Sequence, residues 1–267
     1  MINTDDLISA EGLKYLITNK VVQIVDCRFD LFDVKKGRRD YLAGHIPSSI
    51  YADMDTDLSG ELMETSGRHP LPDIGTFRAK LENWGVSDDT HVVAYDQNNG
   101  SMAVRLWWLL RHWLGHPAAS VLDGGFTGWR EAGYEVEIPT NLPSPGCYTR
   151  IPNPLVVATT EAISTVVGAG QELTLIDARE RARFRGEIEP VDSVGGHIPG
   201  ARNFPLTTNI AKDGKWLATP QLKENWSNIL GDGELKKSLK ESIDNYGLPK
   251  NIILLGHKKN VFKYLFN

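Results

Sequence analysis

Two short stretches carry residue types suited to chemistry at matching positions. Asp26-Cys-Arg28 closes an apolar run, and His45 follows nineteen residues after Asp26. Asp177-Ala-Arg179 closes a second run, and His197 follows twenty residues after Asp177. A third stretch, His91-Val-Val-Ala-Tyr95, runs into the polar loop Asp96-Gln-Asn-Asn-Gly-Ser101 and then into an apolar helical pattern. A strand, a short loop and a helix start together turn backbone N–H groups toward one point, and the helix end adds partial positive charge there. A cysteine at the head of such a loop would be a thiolate at neutral pH, able to attack a sulfur-containing anion and to hold a persulfide. Here the head of the loop is Asp96. The parallel run Asn251-Ile-Ile-Leu-Leu255 leads into Gly256-His-Lys-Lys, again without a cysteine.

These stretches need elements to position them. The offsets between the two Asp-x-Arg motifs and between the two histidines are 151 and 152 residues, so the chain is read as two copies of one domain. The predicted boundaries are 1–137 and 157–267, joined by a semi-rigid linker over 138–156 in which Pro139, Pro143, Pro145, Pro152 and Pro154 disfavour a helix or a central strand. Within a copy, β-branched runs such as Val21–Val25 read as buried strands. Thr4 or Asp5 is expected to cap a helix over Leu7–Ile17, and Met102–Leu114 reads as a core helix. Strands alternating with helices predict an α/β fold, with a mostly parallel sheet in each copy and helices on both faces.

Composition bounds the function. The 267 residues are 41% hydrophobic and 24% charged with a net charge of −5, enough for a packed core and unsuited to binding nucleic acid. No apolar run reaches the length of a membrane span, two cysteines make no disulfide framework, and no Cys/His spacing suggests a metal site, so a cytoplasmic setting is expected. All 14 arginines precede residue 203, while seven of the 15 lysines lie in 234–267. A frameshift or truncation explains that change of usage, and true divergence of the tail is the alternative.

Asp-x-Arg after a strand, followed by Gly195-Gly-His-Ile-Pro-Gly-Ala-Arg-Asn203, resembles the rhodanese family. So do Arg105-Leu-Trp-Trp-Leu-Leu-Arg111 and Leu122-Asp-Gly-Gly-Phe-Thr-Gly-Trp129. The doubled arrangement is similar to the tandem thiosulfate/3-mercaptopyruvate sulfurtransferases. That resemblance implies transfer of sulfane sulfur from a small anionic donor, thiosulfate or 3-mercaptopyruvate, to a thiol or cyanide through a cysteine persulfide, with no metal or organic cofactor. It implies that the first copy is the non-catalytic one, consistent with Asp96, and that the second copy should carry the nucleophile where this chain has Gly256. The second copy is therefore expected to be incomplete, lacking its nucleophile loop and last strand, and the chain to be inactive or impaired. The other reading is a non-catalytic module that binds an anion or a partner. By the same resemblance Arg183, in Arg183-Phe-Arg-Gly186, is the candidate contact for the donor anion. A surface charge paired with Glu180 or Glu187 is the alternative. Some relatives that prefer mercaptopyruvate place a second arginine where this chain has Val191, which leaves the donor preference open. Asp26, Arg28, Asp177, Arg179, His45 and His197 are expected to brace loops, and Cys27 and Cys147 to be a buried hydrophobe and a linker residue.

Overall fold

The structure is a computed structural model that describes residues 6–19, 22–64, 66–138, 143–169 and 174–230, and the backbone of 252–255. The chain divides into two compact units. One comprises Met1–Glu61, His69–Asn153 and Lys212–Trp216, and the other Leu62–Arg68, Pro154–Ala211 and Leu217–Asn267.

In the first unit the chain runs β1 (Leu7–Ile8), α1 (Ala10–Thr18), β2 (Val22–Asp26), α2 (Lys36–Ala43), β3 (Ser49–Tyr51), α3 (Ile74–Asn83), β4 (His91–Tyr95), α4 (Ala103–Trp108), β5 (Ala119–Leu122) and α5 (Gly125–Glu131). The five strands form one parallel sheet in the order β1-β5-β4-β2-β3. Leu13 and Leu16 of α1 pack with Ile24, Val93, Tyr95 and Leu122 of the strands and with Phe126 and Trp129 of α5. Side chains alternate across a strand, so the equally buried Val92 and Ala94 face the other side, and α4 lies against β4 and β5. A sheet covered on both faces needs strands apolar throughout, and β4 is buried at every position.

Two elements differ from the sequence reading. Leu7 and Ile8 do not open a helix. They pair with Val121 and Leu122, and the helix starts later, capped by Ser9, whose Oγ accepts the Gly12 N–H at 3.1 Å. The apolar pattern of Leu7–Ile17 suits a helix as well as a strand end, and a partner more than a hundred residues away decides between them. The helix expected over Met102–Leu114 changes winding halfway. After α4 the turn Leu109–Trp113 is π-helical, and the Leu114 N–H reaches back to Leu109 O at 3.0 Å.

The proline-rich segment is held rather than loose where it is described. Gly146 N–H donates to Glu82 O at 2.8 Å, Tyr148 N–H to Glu82 Oε1 at 3.0 Å, and Asn153 N–H to Trp113 O at 2.7 Å. Tyr148 is buried against His116, whose Nε2 donates to Thr90 O at 2.7 Å.

In the second unit α6 (Thr160–Gly168), β6 (Thr174–Asp177), α7 (Arg181–Arg185), β7 (Arg202–Asn203), α8 (Thr219–Leu230) and β8 (Ile252–Leu255) follow. The described strands form a parallel sheet in the order β7-β6-β8, which repeats β3-β2-β4. The register repeats as well. Asp26 lies opposite Tyr51 and Tyr95, and Asp177 lies opposite Asn203 and Leu255.

The first unit has a built-in acid sensitivity. Burial, reinforced by the charge of Arg111, pushes the His112 imidazole down from 6.5 to about 4, and burial shifts His91 and His116 in the same direction. The unfolded chain takes up a proton near pH 6.5 and the folded chain only near 4. The stability that neutral His112 contributes is therefore complete above about pH 6.5 and falls as pH drops toward 4, by about 3 kcal/mol. Urea unfolding of the parent and of His112→Gln at several pH values checks this. The variant should lose much of the slope between pH 6.5 and 4, and an unaltered slope would assign the acid sensitivity elsewhere.

Candidate functional site

The matching strands β2 and β6 of the two copies end in the same chelate. At the end of β2, Arg28 folds back on Asp26. Its backbone N–H donates to Oδ1 at 2.9 Å, its Nε to both carboxylate oxygens at 3.1 and 2.9 Å, and its Nη2 to Oδ2 at 2.6 Å. The same Nη2 donates to Gly44 O at 2.8 Å, which ties down the loop before His45. At the end of β6, Arg179 binds Asp177 through the same four contacts at 2.9, 3.0, 3.1 and 2.6 Å, and its Nη2 donates to Gly196 O, before His197, at 2.7 Å. Burial pushes the Asp26 carboxyl up from its ordinary value, against the pull of Arg28 and Tyr95. Tyr95, the last residue of β4, donates its hydroxyl to Asp26 Oδ2 at 2.7 Å.

The two histidines repeat a geometry as well. His45 stacks on Tyr41 with ring centroids 4.1 Å apart and donates from Nδ1 to the carbonyl of that same residue at 3.0 Å. His197 stacks on Phe184 at 3.7 Å and donates from Nδ1 to Phe184 O at 2.7 Å. The aromatic partner sits four residues before His45 and thirteen before His197, so the two copies reach one arrangement through loops of different length.

The loop after β4 is an anion cradle filled by its own side chain. Asp96 Oδ1 accepts the N–H groups of Asn98 and Gly100, each at 3.0 Å, and Oδ2 accepts those of Met102 at 2.7 Å and Ala103 at 3.3 Å. Four amides converge on the carboxylate at the position where a thiolate would use them. The turn Asp123-Gly124-Gly125 closes over this loop, with Phe126 N–H donating to Asp96 O at 2.8 Å. Gly125 has φ +56°, and a Cβ there would stand 2.7 Å from Asp96 O and 2.8 Å from Asn98 N, so the approach needs glycine. A pocket of about 290 Å³ opens beside the loop, lined by Arg28, Phe29, Asp30, Lys36, Asp40 and Asp96 among others. Arg28 is neutralised by Asp26 and Lys36 pairs with Asp40, which leaves Asp30 and Asp96 to repel an anionic donor. His69 lies in the same unit with Nε2 2.9 Å from Asp55 Oδ1 and its ring edge-on to Phe29.

Neither thiol stands at such a cradle. Cys27 is 1% exposed, and burial, followed by the charges of Asp26, Asp96 and Asp57, pushes its thiol well above the ordinary value. Cys147 is exposed, its N–H donating to Ser87 Oγ at 3.0 Å.

In the second unit Arg183 pairs with neither Glu180 nor Glu187. Its Nη2 donates to Glu189 Oε1 at 2.7 Å and to Asp192 Oδ2 at 3.0 Å. Burial opposes the charge of Glu189, but Arg183 and the N–H groups of Asp192 and Val191 outweigh it and hold the carboxyl at about 2. Arg68, 124 residues away in sequence, donates from Nη2 to Asp192 Oδ1 at 2.6 Å. No local signal marks Arg68 as part of this cluster. Gly256 lies outside the described residues. Among the described residues no group of His, Cys, Asp and Glu could hold a metal ion, and no helix is long and apolar enough to cross a membrane.

The model of the rhodanese-like domain matches residues 9–132, which is most of the first unit. A Pseudomonas aeruginosa protein named "Probable 3-mercaptopyruvate sulfurtransferase" is 38% identical over 226 residues, covering 84% of this chain and 79% of its own. The chain belongs to the rhodanese family. A rat thiosulfate sulfurtransferase is 30% identical over 214 residues, covering 77% of this chain and 69% of its own. The crystal structure of SseA, a 3-mercaptopyruvate sulfotransferase of Escherichia coli, superposes with a TM-score of 0.77. It is 27% identical and covers 98% of this chain and 92% of that one. The chain is thus a rhodanese-family member whose relatives are sulfurtransferases for both donors, and the paired Asp-x-Arg chelates are its doubled scaffold.

Proposed function

We propose that this chain is a sulfurtransferase scaffold that admits a small anionic donor, thiosulfate or 3-mercaptopyruvate, to its second unit and does not carry the sulfur onward as a persulfide. The observation that carries this reading is the repeated register. Tyr95 faces Asp26 as Leu255 faces Asp177, so Gly256 follows β8 in sequence as Asp96 follows β4. A rhodanese needs its thiolate at that step, and this chain has a carboxylate in one copy and no side chain in the other. Arg183 supplies the anion contact. Its guanidinium is suited to two-point recognition of a carboxylate or sulfonate, in competition with Glu189 and Asp192. Thiol or cyanide would be the acceptor in a cytoplasmic setting, and neither nucleic acid nor a membrane surface is a partner. The division into a non-catalytic first copy and a donor-binding second copy, joined over 138–156, is part of the same proposal.

Intact-protein mass spectrometry tests it. After incubation with either donor and removal of the excess, the mass should be unchanged. A gain of one sulfur atom that cyanide then removes would mean that Cys27 or Cys147 forms a persulfide, and the reading would fall.

A further inference from the structure

The turn Asp213-Gly-Lys-Trp216 comes from the stretch between β7 and α8, yet Lys212–Trp216 belongs to the first unit. Its tip is tight, with Lys215 N–H donating to Asp213 Oδ1 at 3.2 Å and Gly214 at φ +80°. The turn lies on the loop after β4 and on the turn that closes that loop. Trp216 N–H donates to Asp123 Oδ1 at 2.9 Å. A Cβ on Gly100 would stand 3.5 Å from Trp216 Nε1, one on Gly124 3.5 Å from Lys215 Cγ, and one on Gly214 3.9 Å from Asn98 Cβ. Trp216 Nε1 is buried and, among the described residues, makes no hydrogen bond, so packing holds the ring in place. The loop itself, Gln97-Asn-Asn-Gly-Ser101, has no apolar side chain to hold it down. Its N–H groups close on Asp96, and the indole supplies the apolar cover that its own side chains lack. The neck of this arm is closed by Leu217 N–H donating to Asn209 O at 2.9 Å, and both of those residues belong to the second unit. A matching arm starts at Leu58, 151 residues before Asn209, which is the offset of the two Asp-x-Arg motifs. There the neck is in the first unit, closed by Gly60 N–H to Pro70 O at 3.1 Å and by Arg105 Nη2 to Leu58 O and Pro70 O, each at 2.9 Å. Its outer part, Leu62–Arg68, belongs to the second unit.

We infer that Lys212–Trp216 is a strap. It holds the Asp96 loop of the first unit shut, and it makes the order of that loop depend on the fold of the second unit. The strap has one polar anchor, Asp123, and one apolar anchor, the indole of Trp216. Both can be in place only while the neck at Asn209 and Leu217 is formed, and Asn209 is buried in the second unit just after β7. Losing the neck frees the strap, and a freed strap leaves a polar loop with little besides the Asp96 carboxylate to order it. Asn98, Asn99 and Ser101 line the pocket beside the loop, so the strap also fixes one wall of that pocket. The coupling runs both ways, because whatever the strap contributes to the loop the loop contributes to the strap. An arm exchanged in each direction makes this a property of the doubled domain, with each copy supplying a segment to the other unit.

Amide hydrogen exchange of the full chain tests the strap. Trp216→Ala should speed exchange of the Asn98, Gly100 and Met102 amides by about ten- to a hundredfold, the range expected for losing the burial of one large ring. The strand amides of Ile24 and Val93 should exchange as in the parent. Trp216→Phe keeps a ring in the same place and should keep most of the protection. Ile176→Ala opens a cavity in the core of the second unit, where Ile176 packs with Phe204 and Leu230. It should speed exchange of the same loop amides in the first unit, and that effect should vanish when Trp216→Ala is already present. Ile176→Val, a milder change at the same place, serves if Ile176→Ala does not fold. Faster exchange confined to 212–216 in Trp216→Ala would mean that the turn covers nothing. Faster exchange spread equally to Ile24 and Val93 would make Trp216 an ordinary core residue. Either result overturns the strap. Loop amides that ignore the Ile176 changes, or respond to them equally with and without Trp216, would overturn the dependence on the second unit and the inference with it.

Discussion

Thiocyanate formation from thiosulfate or 3-mercaptopyruvate and cyanide is expected to stay at the uncatalysed rate with the purified chain, and to be unchanged when Cys27 and Cys147 are both replaced by serine. Persulfide transfer needs a thiolate beside converging N–H groups, and the cradle after β4 binds the Asp96 carboxylate instead. A carboxylate oxygen cannot accept and return a sulfane sulfur. Cys27 lies beside the end of β4, its N–H donating to Tyr95 O at 2.7 Å, but it is buried, its thiol held protonated by burial and by neighbouring carboxylates. Cys147 has the exposure but not the cradle. Loss of a covalent nucleophile costs as much as roughly a millionfold in rate in a serine protease, and the amides and arginines that remain do not supply the missing sulfur. A colorimetric thiocyanate assay decides the matter. Robust release by the parent that disappears in the double serine variant would place the nucleophile on one of these two cysteines.

Arg28→Ala is expected to lower the unfolding free energy of the first unit by about 3–5 kcal/mol, the usual cost of breaking a buried ion pair from one side. Asp26 has no exposed surface, and four of its contacts come from Arg28, three of them from the side chain. Without that side chain the carboxylate keeps the Tyr95 hydroxyl and one backbone N–H, too little to hold a charge out of water. The loop before His45 also loses the bond to Gly44 O, and the ring of Phe126 loses a guanidinium centred 4.3 Å away. A domain's whole stability is about 5–15 kcal/mol, so the variant should unfold at markedly lower urea. Arg28→Lys should rescue little, since an ammonium cannot reproduce the fork on Asp26. Asp26→Asn combined with Arg28→Ala should be less damaging than Arg28→Ala alone, because the stranded charge is gone. Urea unfolding followed by tryptophan fluorescence reads all three. A loss below about 1 kcal/mol in Arg28→Ala, the range of an exposed pair, would mean that water reaches Asp26 and that the pair is not a buried support.

Much of this site could be read without a structure because its chemistry is local. Asp-x-Arg places donor and acceptor two residues apart at a strand end, where the backbone N–H and the guanidinium both close on one carboxylate. Gly44 O, Gly196 O and the Tyr95 hydroxyl come from farther away, and each glycine directly precedes the histidine that the motif spacing had already marked. The doubled register follows from the same repeat. The alternation of apolar runs with helical patterns was enough for a parallel sheet, since burying both faces of a strand constrains every residue in it. That Asp96 heads a loop and that both cysteines lie away from such loops are likewise matters of order along the chain.

What tertiary structure alone decided involves partners distant in sequence. Leu7 and Ile8 became a strand because the edge of β5 offered hydrogen bonds there, a choice the local pattern leaves open between two periods. Four amides take the Asp96 side chain as their anion where the loop lies against the Gly124–Gly125 turn. Arg183 met Asp192 and Glu189 rather than the acids beside it, and Arg68 joined them across 124 residues of chain. Composition and spacing fix which charges exist, but which charges are desolvated together depends on how the elements pack, and burial is what turns an ion pair into a site.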